Sequence, residues 1–350
     1  MINKAYFKRF FNESLYFLMF LSFILCLISA VQFTIISFDE YSIYTTYQTT
    51  IIPTMIAISL SPLYIFNYRT SKRKCDVYYS LPISKNSLFN TRTLVTFLDI
   101  LIAFTLAFLI NCLFFIAKSS GINGLHYVYS LPLYFLSILA FIPLFLLSII
   151  TFNLGNTRID GLIIQYSYLV TVPLIILCIF YHSQVSSDVA GVIYSCFKAN
   201  YFITFNNSIF DYLILGDHYE GLKINLVTGA NSSLIPVIVL FILSAGLFVL
   251  FEFKLKKEKA ERIGQISSSI LAYKTIIILL TASIGCGLSY LVFVGFGVEL
   301  TLVFLSSLII SFYVLYVIYK RTFRIKKDVL PLLIISFALS IGFFCLGFID

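Results

Sequence analysis

The sequence predicts an all-α, polytopic membrane protein of about nine spanning helices. Three observations carry that prediction: how much of the chain is apolar, how the apolar residues are blocked, and where the basic residues fall between the blocks. Hydrophobic residues make up 60% and charged residues 11% of the 350 positions, and the mean hydropathy is +0.98. A chain folded in water could not cover so much apolar surface with so little polar surface. The apolar residues also come in long blocks, and a helix needs about 20 of them to cross a bilayer.

The blocks lie at 15–36, 50–66, 94–115, 131–152, 162–181, 234–251, 276–293, 300–319 and 329–348. A helix satisfies its own backbone in lipid, so each block reads as a helix. The first is too long for the core of a signal peptide and no small-x-small cleavage site follows it, so it reads as a retained span. Pro53, Pro62, Pro132, Pro143, Pro173, Pro236 and Pro331 fall in or at the edges of blocks, where neighbouring helices make a kink tolerable.

Orientation follows from the basic residues. With the amino terminus inside, the cytoplasmic segments hold Lys4, Lys8 and Arg9, those between Arg69 and Arg92, Arg158, those from Lys254 to Lys274, and those from Lys320 to Lys327. Of the 24 Lys and Arg, only Lys118, Lys198 and Lys223 fall on the other side. A missing span would scramble this alternation. The expectation is a multi-pass protein of the cell membrane, its amino terminus cytoplasmic and its carboxyl terminus, Asp350, external.

The net charge of +8 is therefore a matter of topology. No basic stripe sits on a soluble fold, so nucleic acid is not an expected partner. The seven cysteines form no C-x-x-C pair, and five lie inside apolar blocks, which argues against a disulfide framework or a metal site. Trp is absent, leaving Tyr and Phe for any interfacial belt.

Two connections stand out. The external stretch 182–233 mixes Phe197, Tyr201, Phe202, Phe205, Phe210 and Tyr212 with Asp188, Asp211, Asp217 and Glu220. Re-entrant or surface-lying helices would account for the aromatics, and a small external domain is the other reading. The cytoplasmic stretch 67–93 is basic and patterned. Val77, Tyr78 and Leu81 form the apolar edge of a short helix, with Arg73, Lys74 and Asp76 toward water. Pro82 ends that helix and Ser84 caps the next. Leu88, Phe89 and Arg92 then lead into the third span. The result is a bent elbow, suited to docking a partner or to lying on anionic lipid.

No G-x-x-x-x-G-K-[ST] loop is present, so ATP cannot be held in that way. There is no H-E-x-x-H, and the three histidines, His126, His182 and His218, fall in or beside external segments. No nucleophile stands next to a base at readable spacing, so no catalytic residue is assigned.

The run Asp76-x-Tyr78-x-Ser80-Leu81-Pro82-Ile83-Ser84-Lys85-x-x-Leu88-Phe89 resembles a signature of permease subunits of the type-2 ABC exporter family, in the Gram-positive multidrug and antimicrobial-peptide branch. The run Lys259-Ala-Glu261-Arg-Ile-Gly264-Gln265 is similar to that family's basic-x-Glu-x-Ala-Gly pattern, with Ile263 in place of the small residue. The resemblance implies a six-span permease core over 1–253, and a linker with three further spans over 254–350. It implies that 67–93 is a coupling helix contacting a separate ABC ATP-binding subunit, through Asp76, Tyr78, Leu81, Pro82, Leu88 and Phe89. It also implies ATP and Mg held by that partner rather than by this chain, and a second permease copy or paralogue. Longer relatives continue into an external domain, whereas this sequence stops at Phe348-Ile-Asp350.

Three polar residues inside blocks complete the inventory. Asp99 is expected to pair with a basic residue or a backbone donor, with Arg92 two turns earlier on the same helix face. Asn111 and Gln165 are expected to bond between helices. The three are also where a substrate or proton site would lie in the alternative reading, a transporter or channel driven by an ion gradient.

Overall fold

A computed structural model describes residues 4–35, 42–70, 72–118, 125–180, 242, 244–253, 269–296, 300–325 and 329–346. Among these, the regular structure is helical throughout. The helices are α1 (Lys4–Ile35), α2 (Ser42–Ile65), α3 (Lys72–Tyr79), α4 (Lys85–Lys118), α5 (Leu125–Phe152) and α6 (Arg158–Phe180). They continue with α7 (Ser244–Phe253), then α8 (Thr275–Phe296), α9 (Leu300–Lys320) and α10 (Leu330–Leu346). Every apolar block coincides with one of these, the sixth only in part, and α3 is the short helix of the elbow. Lys4–Val31 and Lys85–Phe114 are long and apolar enough to cross a membrane, and Thr50–Ile65, Ser137–Phe152, Ser244–Phe253, Ile270–Gly285, Phe304–Lys320 and Leu330–Gly342 are shorter apolar helices. The stretch 182–233, the run Lys259 to Gln265 and Asp350 lie outside the described residues.

Packing divides the chain into two units. The first holds α1 to α4, α5 as far as Ile150, and α7. The second holds α6 and α8 to α10. The layout at 253/254 is a division along the chain, whereas packing groups α6 with the last three helices.

In the first unit α4 lies against both α1 and α2. The packed face of α1 carries Tyr6, Phe10, Ser14, Leu21, Leu25 and Ser29, all buried and recurring at helical spacing. Its opposite face exposes Tyr16, Phe20, Phe23 and Leu27. Several hydroxyls on packed faces are satisfied within their own helices. Ser14 donates to the Phe11 carbonyl at 2.9 Å, Ser29 to Leu25 at 2.9 Å and Thr54 to Thr50 at 2.7 Å. Pro62 inside α2 has no N–H for the Ile58 carbonyl, and the Ser61 hydroxyl takes that carbonyl at 2.8 Å. On α4, Phe104 meets Phe141 of α5 edge-on at 5.0 Å between centroids, and Thr105 bonds the Tyr134 hydroxyl at 2.7 Å.

In the second unit α8 packs against α6, α9 and α10. A π-turn, Ile270–Lys274, leads into it, kinked at Ala272 (φ −86°, ψ −122°). Leu154, Ile164, Tyr273, Ile276 and Leu280 form one core cluster, and Ile277, Phe312, Tyr316 and Val329 another. The chain enters α6 through a turn in which Gly155 sits against Gly161. A Cβ on Gly155 would collide with the Gly161 backbone nitrogen, and one on Gly161 would lie 2.9 Å from the Phe152 ring.

Candidate functional site

The elbow is built as its residue types dictate. α3 ends at Tyr79, with the Ser80 N–H on the Asp76 carbonyl at 3.1 Å. The chain then turns through Leu81, Pro82 and Ile83. The Ser84 hydroxyl accepts the Ser87 N–H at 3.2 Å, so Ser84 caps α4 as the sequence implies.

What holds the elbow is Arg92, only 4% exposed. Its Nε donates to the Tyr6 hydroxyl at 2.8 Å, and one terminal nitrogen donates to the Ile65 carbonyl at 3.1 Å. The guanidinium lies 4.5 Å from the ring centroids of Phe10 and Tyr68 and 4.4 Å from that of Tyr78. A single cation thus ties α1, the end of α2, the connection after it and α3 to α4. Among the described residues no carboxylate pairs with it. Aromatic faces replace one, and they attract a desolvated cation strongly. Tyr68 contributes a neutral ring, because burial pushes its phenol well above the ordinary value. The Tyr68 and Tyr78 rings also meet edge-on at 5.2 Å.

The six residues expected to couple to a partner occupy different places. Asp76 and Pro82 are exposed. Val77 (60% exposed), Tyr78 and Leu81 line a groove of about 400 Å³ between α3 and α1. Arg73, Lys74 and Asp76 face outward, as expected of the polar side of α3. Leu88 and Phe89 are interior, each 1% exposed. Phe89 packs on Phe66 and on Phe248 and Phe251 of α7. Glu252, on the same helix, receives the Asn90 amide on its carboxylate and the Asn86 amide on its backbone carbonyl.

The expected pairing of Asp99 with Arg92 is not formed. Asp99 is fully buried, and neither carboxyl oxygen has a hydrogen-bonding partner among the described residues. Two turns separate the pair, and the Arg92 donors are directed to Tyr6 and Ile65 instead. Ser14 lies beside the carboxyl, but its proton goes to Phe11. Asn111 is buried with both amide atoms lacking a partner among the described residues, so the bond between helices expected of it is not made there. Gln165 is fully buried, in the second unit. A charge at Asp99 would be uncompensated, and asparagine matches the carboxyl in shape. Asp99→Asn is therefore expected to melt at or above the wild-type temperature in detergent, and a lower melting point would show that the carboxylate is held.

The second unit contains a polar junction the sequence did not disclose. Asp160, 2% exposed, accepts the Tyr273 hydroxyl at 2.6 Å and an Arg321 nitrogen at 2.9 Å on the same oxygen. Its backbone N–H is capped by the Thr157 hydroxyl at 3.1 Å, and a carboxylate in the first helical turn suits the helix dipole. Arg321 stands at the end of α9 with φ 53°, a left-handed position usually given to glycine. The Thr157-x-x-Asp160 spacing is a local signal for a helix start. Nothing local connects it to Tyr273 or Arg321.

In the first unit Tyr6, Ile65, Tyr68 and Tyr78 meet at Arg92, and in the second Tyr273 and Arg321 meet at Asp160. Among the described residues no group of three or more His, Cys, Asp or Glu could hold a metal ion. Comparison with family models, curated proteins and solved structures finds no match to this chain.

Proposed function

We propose that this chain is the membrane-spanning permease subunit of an ATP-driven type-2 ABC exporter, moving a drug, peptide or lipid-like substrate. A separate subunit would bind ATP and Mg and hydrolyse the nucleotide. The observation that carries the reading is the elbow: a short basic helix, exposed on its outer side and braced on its inner side by Arg92 to three other parts of the unit. A push on such an element is transmitted to α1, α2 and α4 rather than absorbed locally. The signature from Asp76 to Phe89 supports the family assignment.

A location in the membrane with about nine spans is part of the same proposal. Its support is the pattern of the helices, with hydroxyls among the packed faces and large apolar side chains exposed on the outer faces as well. The gathering points agree with it too. Every segment joined at Arg92 or at Asp160 is one that the basic-residue count puts in the cytoplasm, or, at Ile65, the end of a block next to one, which alternating spans require.

The test is transport by the chain reconstituted with its ATPase partner. Asp76→Arg with Pro82→Glu changes exposed elbow residues and leaves the Arg92 bracing intact. The pair is expected to cut ATP-driven transport at least about tenfold while the partner's basal hydrolysis continues. Undiminished transport would remove the elbow's role.

A second reading, transport driven by an ion gradient, draws on one observation, the buried carboxyl of Asp99. Under the ATP-driven reading Asp99→Asn retains transport. Loss of transport in a folded Asp99→Asn chain, with transport by wild type in the absence of ATPase, would favour the ion-coupled reading.

A further inference from the structure

We propose that the groove between α1 and α3 seats the headgroup of an anionic phospholipid of the cytoplasmic leaflet. The inference rests on the membrane reading above, and not on the identity of the transported substrate.

The groove has two kinds of wall. Its rim carries Arg9, Arg73 and Lys74 against the single carboxylate Glu13, which Arg9 already holds at 3.0 Å. Arg73 and Lys74 are exposed, and among the described residues neither forms an ion pair. Beside them the lining is largely apolar, with Val77, Tyr78 and Leu81 next to the Tyr6 ring. Excess cationic charge beside an apolar lining suits a phosphate diester carrying hydrocarbon, better than a free polar anion.

The surface of α1 continues the argument. Arg9 and Glu13 begin a helical stripe, and the following members at spacings of three and four are Tyr16, Phe20, Phe23, Leu27 and Val31. All five are exposed, Tyr16 at 85% and Phe20 and Phe23 at 65% each. The groove is thus the polar foot of an apolar track long enough for acyl chains. Basic pockets at the cytoplasmic ends of spanning helices recognise anionic headgroups on this principle. A headgroup so held would lie between α3 and α1 and could stabilise the seated position of the elbow.

The test uses the full chain, purified in detergent and returned to phosphatidylcholine nanodiscs with or without phosphatidylglycerol. Native mass spectrometry then counts the lipid retained. Wild type is expected to keep phosphatidylglycerol in preference to phosphatidylcholine. Arg73→Ala with Lys74→Ala should reduce that preference roughly tenfold or more, and Val77→Asp should reduce it independently. Lys320→Ala with Arg324→Ala removes the same charge elsewhere and should change nothing. Equal retention of both lipids by wild type overturns the site. So does an equal loss in the Lys320/Arg324 control, which would mark unspecific charge attraction. Unchanged lipid retention with loss of ATPase-subunit binding in the Arg73/Lys74 variant also overturns it, making the groove a protein dock. Release of wild-type chain from membranes by alkaline carbonate would instead defeat the membrane reading itself.

Discussion

Arg92→Ala is expected to release the elbow while the long helices of the first unit stay folded. The substitution removes a buried cation from three aromatic faces, the Tyr6 hydroxyl and the Ile65 carbonyl together. Desolvated cation–aromatic contact and two charge-assisted hydrogen bonds amount to a net loss on the order of 3 kcal/mol. Cys75, fully buried on α3, reports the release. Its thiol should react with a maleimide many times faster in Arg92→Ala than in wild type, read at the Cys75 peptide by mass spectrometry. Arg92→Lys keeps the charge but cannot fork between Tyr6 and Ile65, so it should fall between the two. Arg92→Met keeps the stem and removes the charge, and should protect Cys75 better than alanine does. Unaltered Cys75 reactivity in all three would mean that α3 is held by other contacts. Under the proposed function, coupled transport should fall in the same order as Cys75 protection.

Asp160→Ala is expected to have the second largest effect, confined to the second unit. It leaves the Tyr273 hydroxyl without its buried acceptor and removes the cap-proximal charge from α6. An unpaired buried hydroxyl costs about 1–3 kcal/mol, and the loss of a carboxylate in the first turn adds several tenths of a kcal/mol. The Arg321 contribution is smaller, because its side chain is 55% exposed and the pair is screened by water. Arg321→Gly separates the two effects. It loses the ion pair but relieves the left-handed backbone at φ 53°, so it should cost much less than Asp160→Ala. With no Trp in the chain, tyrosine fluorescence during heating is the measurement. A melting point in Asp160→Ala no lower than in Arg321→Gly would show that the Tyr273 bond carries little.

The helices were legible because lipid and protein interiors impose the same local demand, a continuous apolar run that bonds its own backbone. The apolar blocks coincide with helices for that reason. The break at Pro82 and the restart at Ser84 were legible too, since proline and the capping serine act on their immediate neighbours. Arg92 was not. Its helix face suggested Asp99, seven residues on, whereas its strongest partner is Tyr6, 86 positions back. Charge pairing is a poor guide where aromatic rings can hold a cation. Leu88 and Phe89 were readable as apolar but not as interior, since the helix covering Phe89, α7, arrives more than 150 residues later. Asp160 shows the same limit. Its capping role is written in Thr157-x-x-Asp160, but Tyr273 and Arg321 lie 113 and 161 positions away.

The proposed function and the lipid site both depend on the chain threading a bilayer with the elbow on its inner side. Single cysteines placed at Asp76 or Asp211, in a chain stripped of its own seven, probe this with an impermeant maleimide on intact cells. Asp211→Cys should label at once, and Asp76→Cys only after the cells are made permeable. Labelling of Asp76→Cys from outside, with Asp211→Cys silent, would contradict the account.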